Sequence, residues 1–414
     1  MVVLCIDLKS FYASVECVLR GLNPFTTDLA VADERRGRGS IVLAVSPHLK
    51  KSGVSSRCRL YQLPNKDIIV ARPQMKKYIE YSCKVYEIYL RYVAKEDIHV
   101  YSIDEAFLDL THYLKYYNAA PLEICQRILK DIYNGTGLTA TCGIGDNMFL
   151  AKVALDCLAK YRSDNIAYLD QNLFYQYIWD IRPLNNIWGI GGRLVKRLAA
   201  LDIYSLRDLA STSPEILEKE FGILGLELYQ HAHGKDATTV RAARSYHPKS
   251  KTFGHGQVLL EDYNYKDIRV IMVELAAEIA TELVLRRLCC QEIALGIGYS
   301  KKYGGGFYRQ MKLDKKTNSY KTLLTAFEKI YVNNIKDLPI RNISLRVGKL
   351  SNEEFIQSTL FTDTQNEIKE RNLYRAIGEI REKHGKTAVR LAVSNTEKAT
   401  LVKRSILIGG HNAE

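Results

Sequence analysis

The chain opens on a short continuous apolar run, Val2-Val3-Leu4-Cys5-Ile6, that ends in Asp7. Such a run predicts a buried strand delivering a carboxylate at its carboxyl end. Ser10 then stands as an N-cap to a helix in which Phe11, Val15, Val18 and Leu19 recur at helical spacing. Residues 23–73 are basic and turn-rich and enclose the strand Ile41-Val42-Leu43-Ala44-Val45. Over 76–93, Ile79, Cys83, Tyr86, Leu90 and Val93 alternate steps of four and three, predicting a helix with one apolar face. Residues 100–110 read as a strand, 122–133 as a helix, 138–144 as a strand, and the segment after Asp146, its expected N-cap, as a helix reaching Lys160. Alternating strands and helices of this kind predict an α/β sheet.

The second half changes character. Ile187-Trp188-Gly189-Ile190-Gly191-Gly192-Arg193-Leu194 reads as helix, glycine hairpin, helix. Glycines there permit close backbone approach and expose amides at a helix start, suited to a phosphate. Periodicity fades over 234–251, where Lys235, Arg241, Arg244, Lys249 and Lys251 suggest a linker running along a polyanion. Helices over 268–288 and 320–332, strands over 292–299 and 340–348, and a glycine-rich hairpin bearing Lys301, Lys302 and Arg309 predict a small α+β module with a basic sheet. Gln357-Ser358-Thr359-Leu360-Phe361 follows outside the folded elements, then a helix over 365–384 and a polar tail.

Within the strand-like run Val100-Tyr101-Ser102-Ile103-Asp104-Glu105-Ala106-Phe107-Leu108, two adjacent acids interrupt β-branched and aromatic residues. Asp is depleted from strands, and a desolvated carboxylate is costly without a compensating charge. Successive strand residues face opposite ways, so both acids serve one place only if the chain turns there, which predicts a tight hairpin. If that hairpin neighbours the first strand, Asp7, Asp104 and Glu105 converge. Oxygen donors without His or Cys select a hard cation, Mg2+ or Mn2+. Two such ions about 4 Å apart serve phosphoryl and nucleotidyl transfer.

At 414 residues with 47% hydrophobic content, the chain is long enough for three or four modules. Its net charge is +13, and 20 basic against 10 acidic residues between Arg241 and Leu350 concentrate most of that surplus in one stretch, as a phosphate-backbone binder requires. Nine scattered cysteines, without metal-ligand spacing, fit small buried hydrophobes in a reducing compartment. The chain begins directly on a core strand and contains no long apolar run, so a cytoplasmic protein without membrane contact is expected.

Asp7-Leu8-Lys9-Ser10-Phe11-Tyr12-Ala13-Ser14-Val15-Glu16, Ser102-Ile103-Asp104-Glu105-Ala106, Gly143-Ile144-Gly145 with Ala151-Lys152, and Gly189-Ile190-Gly191 occur in that order. Together they closely resemble the Y-family translesion DNA polymerases up to about residue 350. The ending Gly409-Gly410-His411 looks most like the UmuC-like branch of Gram-positive bacteria. The resemblance implies a right-hand polymerase of α/β and α+β domains: palm at 1–22 and 74–170, fingers at 23–73, a helical thumb with a helix-hairpin-helix at 171–235, a linker at 236–245, an α+β little finger at 246–350, and a C-terminal tail at 351–414.

Carried over by position, Asp7 and Asp104, with the Leu8 carbonyl, would hold two Mg2+ ions, and Glu105 would sit beside the primer 3′ hydroxyl and the catalytic ion. Tyr12 falls on the steric gate under the incoming sugar, with Phe11 beside it. Lys160 matches the triphosphate lysine, although one extra residue separates it from Lys152 compared with the commoner spacing, which keeps Lys152 a candidate. Where the family usually has a Tyr and an Arg as triphosphate ligands, this chain has Pro47 and Lys50, so that role would be shared with Ser46, Lys51 or Arg57. Gly189, Gly191, Gly192, Arg193, Arg244, Lys249, Lys251, Lys301, Lys302 and Arg309 would contact primer-template DNA. Gln357, Leu360 and Phe361 resemble the sliding-clamp-binding peptide. The activity implied is low-fidelity synthesis from deoxynucleoside triphosphates past damaged template. An alternative is a catalytically weak DNA-binding accessory protein of the damage response whose altered fingers cost it nucleotide binding.

Overall fold

Val3–Leu8, all but one of them fully buried, form the middle strand of a five-stranded sheet. The computed structural model describes residues 1–64, 67–248, 252–353 and 364–414, which fall into two units, Met1–Tyr246 and His247–Ala413. In chain order the first unit begins β1 (Val3–Leu8), α1 (Phe11–Leu19), β2 (Leu29–Val31), β3 (Ala44–Val45), α2 (Pro47–Lys51), β4 (Ile69–Ala71) and α3 (Met75–Tyr89). It continues with β5 (Ile98–Val100), β6 (Glu105–Asp109), α4 (Leu114–Tyr117), α5 (Pro121–Thr136), β7 (Ala140–Gly145), α6 (Met148–Val153) and β8 (Ile166–Leu169). Helices α7 (Gln171–Tyr177), α8 (Gly192–Ala199), α9 (Leu206–Ser211), α10 (Pro214–Phe221), α11 (Ile223–Ala232) and α12 (Val240–Ser245) complete it.

The main sheet has the order β5-β6-β1-β7-β8, antiparallel except for the parallel pair of β7 and β8. The expected hairpin lies between β5 and β6, where the amides of Tyr101 and Ser102 both donate to the Glu105 carbonyl at 3.0 Å. Glycine is obligatory at 143 and 145, because a Cβ there would lie 2.1 Å from the Ala151 carbonyl oxygen and 2.3 Å from the Ala151 amide nitrogen. Those two glycines let α6 lie directly on β7. A smaller sheet, β3-β2-β4, carries α2.

Local details depart from the sequence reading. Helix α3 buries Met75, Tyr78, Val85, Ile88 and Tyr89, while Ile79, Cys83 and Leu90 of the expected apolar face are exposed. Asn147, not Asp146, caps α6, its side chain accepting from the Leu150 amide at 2.8 Å. Before the thumb glycines there is only a single 3-10 turn at Leu184–Asn186 instead of a full helix. Residues 236–245, expected as a linker along DNA, contain α12. It docks on the sheet edge through buried Val240, the Arg241–Asp97 ion pair and the Arg244 guanidinium on the Ile98 carbonyl.

The second unit runs β9 (Phe253–Tyr263), α13 (Ile268–Leu285), β10 (Leu288–Tyr299), β11 (Gly306–Thr317), α14 (Tyr320–Asn334), β12 (Ile340–Gly348) and β13 (Ser351–Asn352). Its antiparallel sheet has the order β11-β10-β12-β9, with the nearly all-buried α13 and the inner face of α14 packed on one side. The tail expected from 351 onward is folded where described: α15 (Thr364–His384) and α16 (Leu401–Ser405) belong to this unit. Glu274 of α13, with a fully buried side chain, accepts from the amides of Thr400 and Leu401 at 3.0 and 3.1 Å, which ties the end of the chain to the core.

Candidate active site

Near the end of strand β1, Asp7 stands directly opposite Glu105, the first residue of β6, so two of the three expected acids face one another across neighbouring strands. Asp104 precedes Glu105 in the hairpin, its carbonyl accepting from the Leu8 amide at 3.0 Å and its carboxylate from the Ser102 hydroxyl at 2.6 Å. Burial pushes the Asp7 carboxyl up. Lys160 pulls it back, and the charges of Asp104 and Glu105 raise it further, so the three acids share one electrostatic neighbourhood.

Both candidate lysines reach these acids. Lys160 Nζ lies 2.9 Å from Asp7 Oδ2 and 2.7 Å from Asp156 Oδ1; Lys152 Nζ lies 2.8 Å from Glu105 Oε1 and 3.0 Å from Asp156 Oδ2. The result is a chain of alternating charge, Asp7, Lys160, Asp156, Lys152, Glu105, closed on the far side by the Cys5 thiol donating to Glu105 at 3.1 Å. Burial alone would lower the Lys160 ammonium, but Asp7 and Asp156 outweigh it and keep it charged. Between the lysines the helix widens into a π-helical turn over Ala154–Leu158, after which a 3-10 turn carries Lys160 back toward Asp7. Asp156 was missed in the sequence, although it stands four residues from each lysine.

Among the described residues, no three acid, His or Cys side chains converge as a ready-made metal cage. The donor chemistry nonetheless fits the ion: oxygen donors only, on two adjacent strands. Mg2+ sites of one or two carboxylates are ordinarily completed by water and substrate phosphates instead of an all-protein cage.

Tyr12, half-buried in the first turn of α1, lies near enough to Asp104 for that acid, after burial, to raise its phenol. Phe11 is buried beneath it and lines no open surface. In α2, Pro47 occupies the first helical turn, where its missing amide costs nothing. Ser46 is a correction: it is fully buried, donating to the Thr27 carbonyl at 2.7 Å and accepting from the Leu49 amide at 3.2 Å, so its hydroxyl is committed to the fold. Lys50 and Lys51 are exposed and close enough to Lys9 that, after burial, they depress its ammonium, which adds a third lysine to the two expected. Lys9 was not among the sequence candidates.

Gly189, Gly191, Gly192 and Arg193 are exposed, and a Cβ at any of the three glycines meets nothing within 4 Å. Only Gly189 needs glycine for its backbone, at φ +85°. Arg244 is exposed and donates from Nη1 to the Ile98 carbonyl at 2.8 Å, leaving the rest of its guanidinium facing outward. In the second unit, Lys301, Lys302 and Arg309 are exposed on the turn and strand of the β10–β11 hairpin. Lys249, Lys251, Gln357, Leu360 and Phe361 lie outside the described residues. Among the described residues no helix is long and apolar enough to cross a membrane.

An acid-bearing mixed sheet, a small sheet carrying the basic helix α2, a glycine hairpin in a helical module and a separate α+β unit make up the palm, fingers, thumb and little finger of a right-hand polymerase. Residues 6–156 match the model of the impB/mucB/samB family and residues 250–360 that of its C-terminal domain. The chain is 38% identical to the "Putative UV-damage repair protein UvrX" of Bacillus subtilis, over 99% of this chain and 97% of that one. It is 32% identical to DNA polymerase IV 2 of Halalkalibacterium halodurans, over 99% of both. A Y-family DNA polymerase chimera, Dbh-Dpo4(243-245)-Dbh, shares the fold at a TM-score of 0.66 and 23% identity, covering 84% of this chain and 99% of that one. The chain thus belongs to the impB/mucB/samB family of Y-family translesion polymerases and is a DNA-directed DNA polymerase. Members of the family use divalent metal ions, and the fold is one that binds primer-template DNA and deoxynucleoside triphosphates.

Proposed function

We propose that this polymerase extends primers past damaged template bases with low fidelity, by two-metal nucleotidyl transfer at Asp7, Asp104 and Glu105. The observation that carries the reading is the pairing of Asp7 with Glu105 across β1 and β6, with Asp104 in the adjoining turn. Two divalent ions held by these acids and the Leu8 carbonyl would neutralise charge at the attacking and leaving oxygens. The chain's own part is positioning. Lys160, with the cluster of Lys9, Lys50 and Lys51, supplies positive charge for the triphosphate, and Lys152 holds Glu105. Tyr12 meets the sugar and excludes a 2′ hydroxyl. The exposed amides of Gly189 to Gly192 with Arg193, and the hairpin residues Lys301, Lys302 and Arg309, grip the DNA backbone without reading sequence. On sequence alone, Gln357, Leu360 and Phe361 join the reading as a sliding-clamp peptide.

Primer extension on an undamaged and an abasic template, with and without the sliding clamp, tests this. The wild type extends past the lesion, and Asp104→Ala loses roughly 10³-fold or more in rate on both templates. Activity of Asp104→Ala near that of wild type would refute the site.

A further inference from the structure

A ring that selects sugars by steric clash discriminates only if it cannot retreat. Tyr12 is backed by a second tyrosine: the rings of Tyr12 and Tyr78 stack at 4.4 Å with planes 16° apart. Tyr78 comes from α3, is fully buried, and is held at its tip, where the hydroxyl donates to Glu16 Oε1 at 2.7 Å. Glu16 is itself buried and fixed from two further sides, by Gln74 Nε2 at 3.2 Å to both oxygens and by the Arg20 guanidinium. Phe11 abuts the Tyr78 ring edge-on at 6.4 Å and lies tilted against Tyr12 at 5.6 Å.

Tyr12 and Glu16 are four residues apart, so they occupy one face of α1 on successive turns. Tyr78 therefore spans both turns, with its ring on one side chain and its hydroxyl on the other. Neither Tyr78 nor Glu16 faces an open surface, and neither has a part in the acid and lysine chain. Their arrangement accounts for one thing beyond packing: it fixes how far the Tyr12 ring can swing toward α3.

We infer that Tyr78 is a positioning residue for sugar selection, a backstop that holds the Tyr12 ring against the incoming nucleotide, anchored by its hydrogen bond to Glu16. The inference rests on the reading of Tyr12 as the sugar-excluding residue. It assigns the rigidity of that exclusion to a residue on another helix that touches no substrate.

The test is the ratio of kcat/KM for deoxyribonucleotide over ribonucleotide insertion, in Tyr78→Leu, Tyr78→Phe, Glu16→Gln and, as control, Tyr12→Ala. Tyr12→Ala shows the largest loss of deoxyribonucleotide preference. Tyr78→Leu lowers the preference roughly tenfold, chiefly as a lower KM for ribonucleotides. Tyr78→Phe, which keeps volume and loses only the anchoring bond, lowers it by a few-fold, and Glu16→Gln, which keeps an acceptor for the Tyr78 hydroxyl but gives up the charge that holds Arg20, lowers it by less. If Tyr78→Leu does not fold, Tyr78→Phe and Glu16→Gln decide the matter. Relaxed selection in Tyr12→Ala with wild-type ratios in the folded Tyr78 and Glu16 variants would overturn the backstop and leave Tyr78 as core. An unchanged ratio in Tyr12→Ala would instead overturn the reading of Tyr12, and the backstop with it.

Discussion

Asp7 and Glu105 are direct cross-strand partners, yet each is paired with a different lysine, Asp7 with Lys160 and Glu105 with Lys152. Two acids on neighbouring strands are thereby kept at close quarters by cations delivered from a single helical segment. The second of these pairs is well sequestered, with side chains 8% and 11% exposed.

Removing one partner of such a pair strands the other. Lys152→Ala is expected to cost about 3–5 kcal/mol of stability, because Glu105 then remains desolvated beside Cys5. The double variant Lys152→Met with Glu105→Gln, which removes both charges, should recover most of that loss. Urea unfolding of the single and double variants measures both quantities, and an additive pair would contradict the coupling.

The Arg241–Asp97 contact gives a pH signature. Asp97 is 3% exposed, and the Arg241 guanidinium beside it holds its carboxyl below the ordinary value of 3.8. A carboxyl depressed by folding stabilises above its unfolded pKa and loses that contribution as the pH falls through the folded one. Arg241→Ala should therefore melt below wild type by a constant margin from about pH 8 to about pH 5, and the margin should close below the ordinary aspartate range. Thermal melts of the two proteins across that range provide the check.

Glu274 ties the chain's end to the second unit. Ending the chain before Thr400 removes both amide donors and Arg404, leaving a buried carboxylate with none of these three partners. The shortened protein should lose several kcal/mol, whereas Glu274→Gln in the full chain should cost about 1–3 kcal/mol. Chemical denaturation of the shortened protein and of full-length Glu274→Gln distinguishes the two.

Glycines of the thumb hairpin should separate into two kinds. Gly189→Ala forces a left-handed backbone on alanine, at about 1–2 kcal/mol. Gly191→Ala meets no neighbour and should melt as wild type. Its effect should fall on DNA affinity, seen as weaker primer-template binding by fluorescence anisotropy with little change in sequence preference.

Much of the site was legible because its residues sit at strand ends with nothing else to explain them. An acid closing an apolar run, and two more inside another, call for a turn, which lies between β5 and β6, and for compensating positive charge, which Lys160 and Lys152 supply. Other parts were hidden for identifiable reasons. Of the face predicted for α3 from Ile79, Cys83, Tyr86, Leu90 and Val93, only Val93 is buried, and the helix instead buries Tyr78 and Met75, because an aromatic with a hydroxyl carries a weaker periodic signal than aliphatics. Asp156 is legible only as the middle of an i, i+4, i+8 series with Lys152 and Lys160, a spacing that ordinary surface ion pairs share. Nothing local to Ser46 or Arg244 reveals that the hydroxyl serves a cap and a carbonyl, or that the guanidinium meets Ile98, 146 residues away. Strand β11 is hard to read because, on the sheet edge, most of its residues are exposed and its charged ones cluster toward the end, which erases alternation.

The widened turn over Ala154–Leu158 has a bearing on how the two lysines are told apart. Because a helix can widen into a bulge and still bring the next cation back to the same carboxylate, separation in the sequence is a poor ruler here. Both lysines end up on the one Asp156, and it is the second carboxylate each meets, Glu105 or Asp7, that sets them apart.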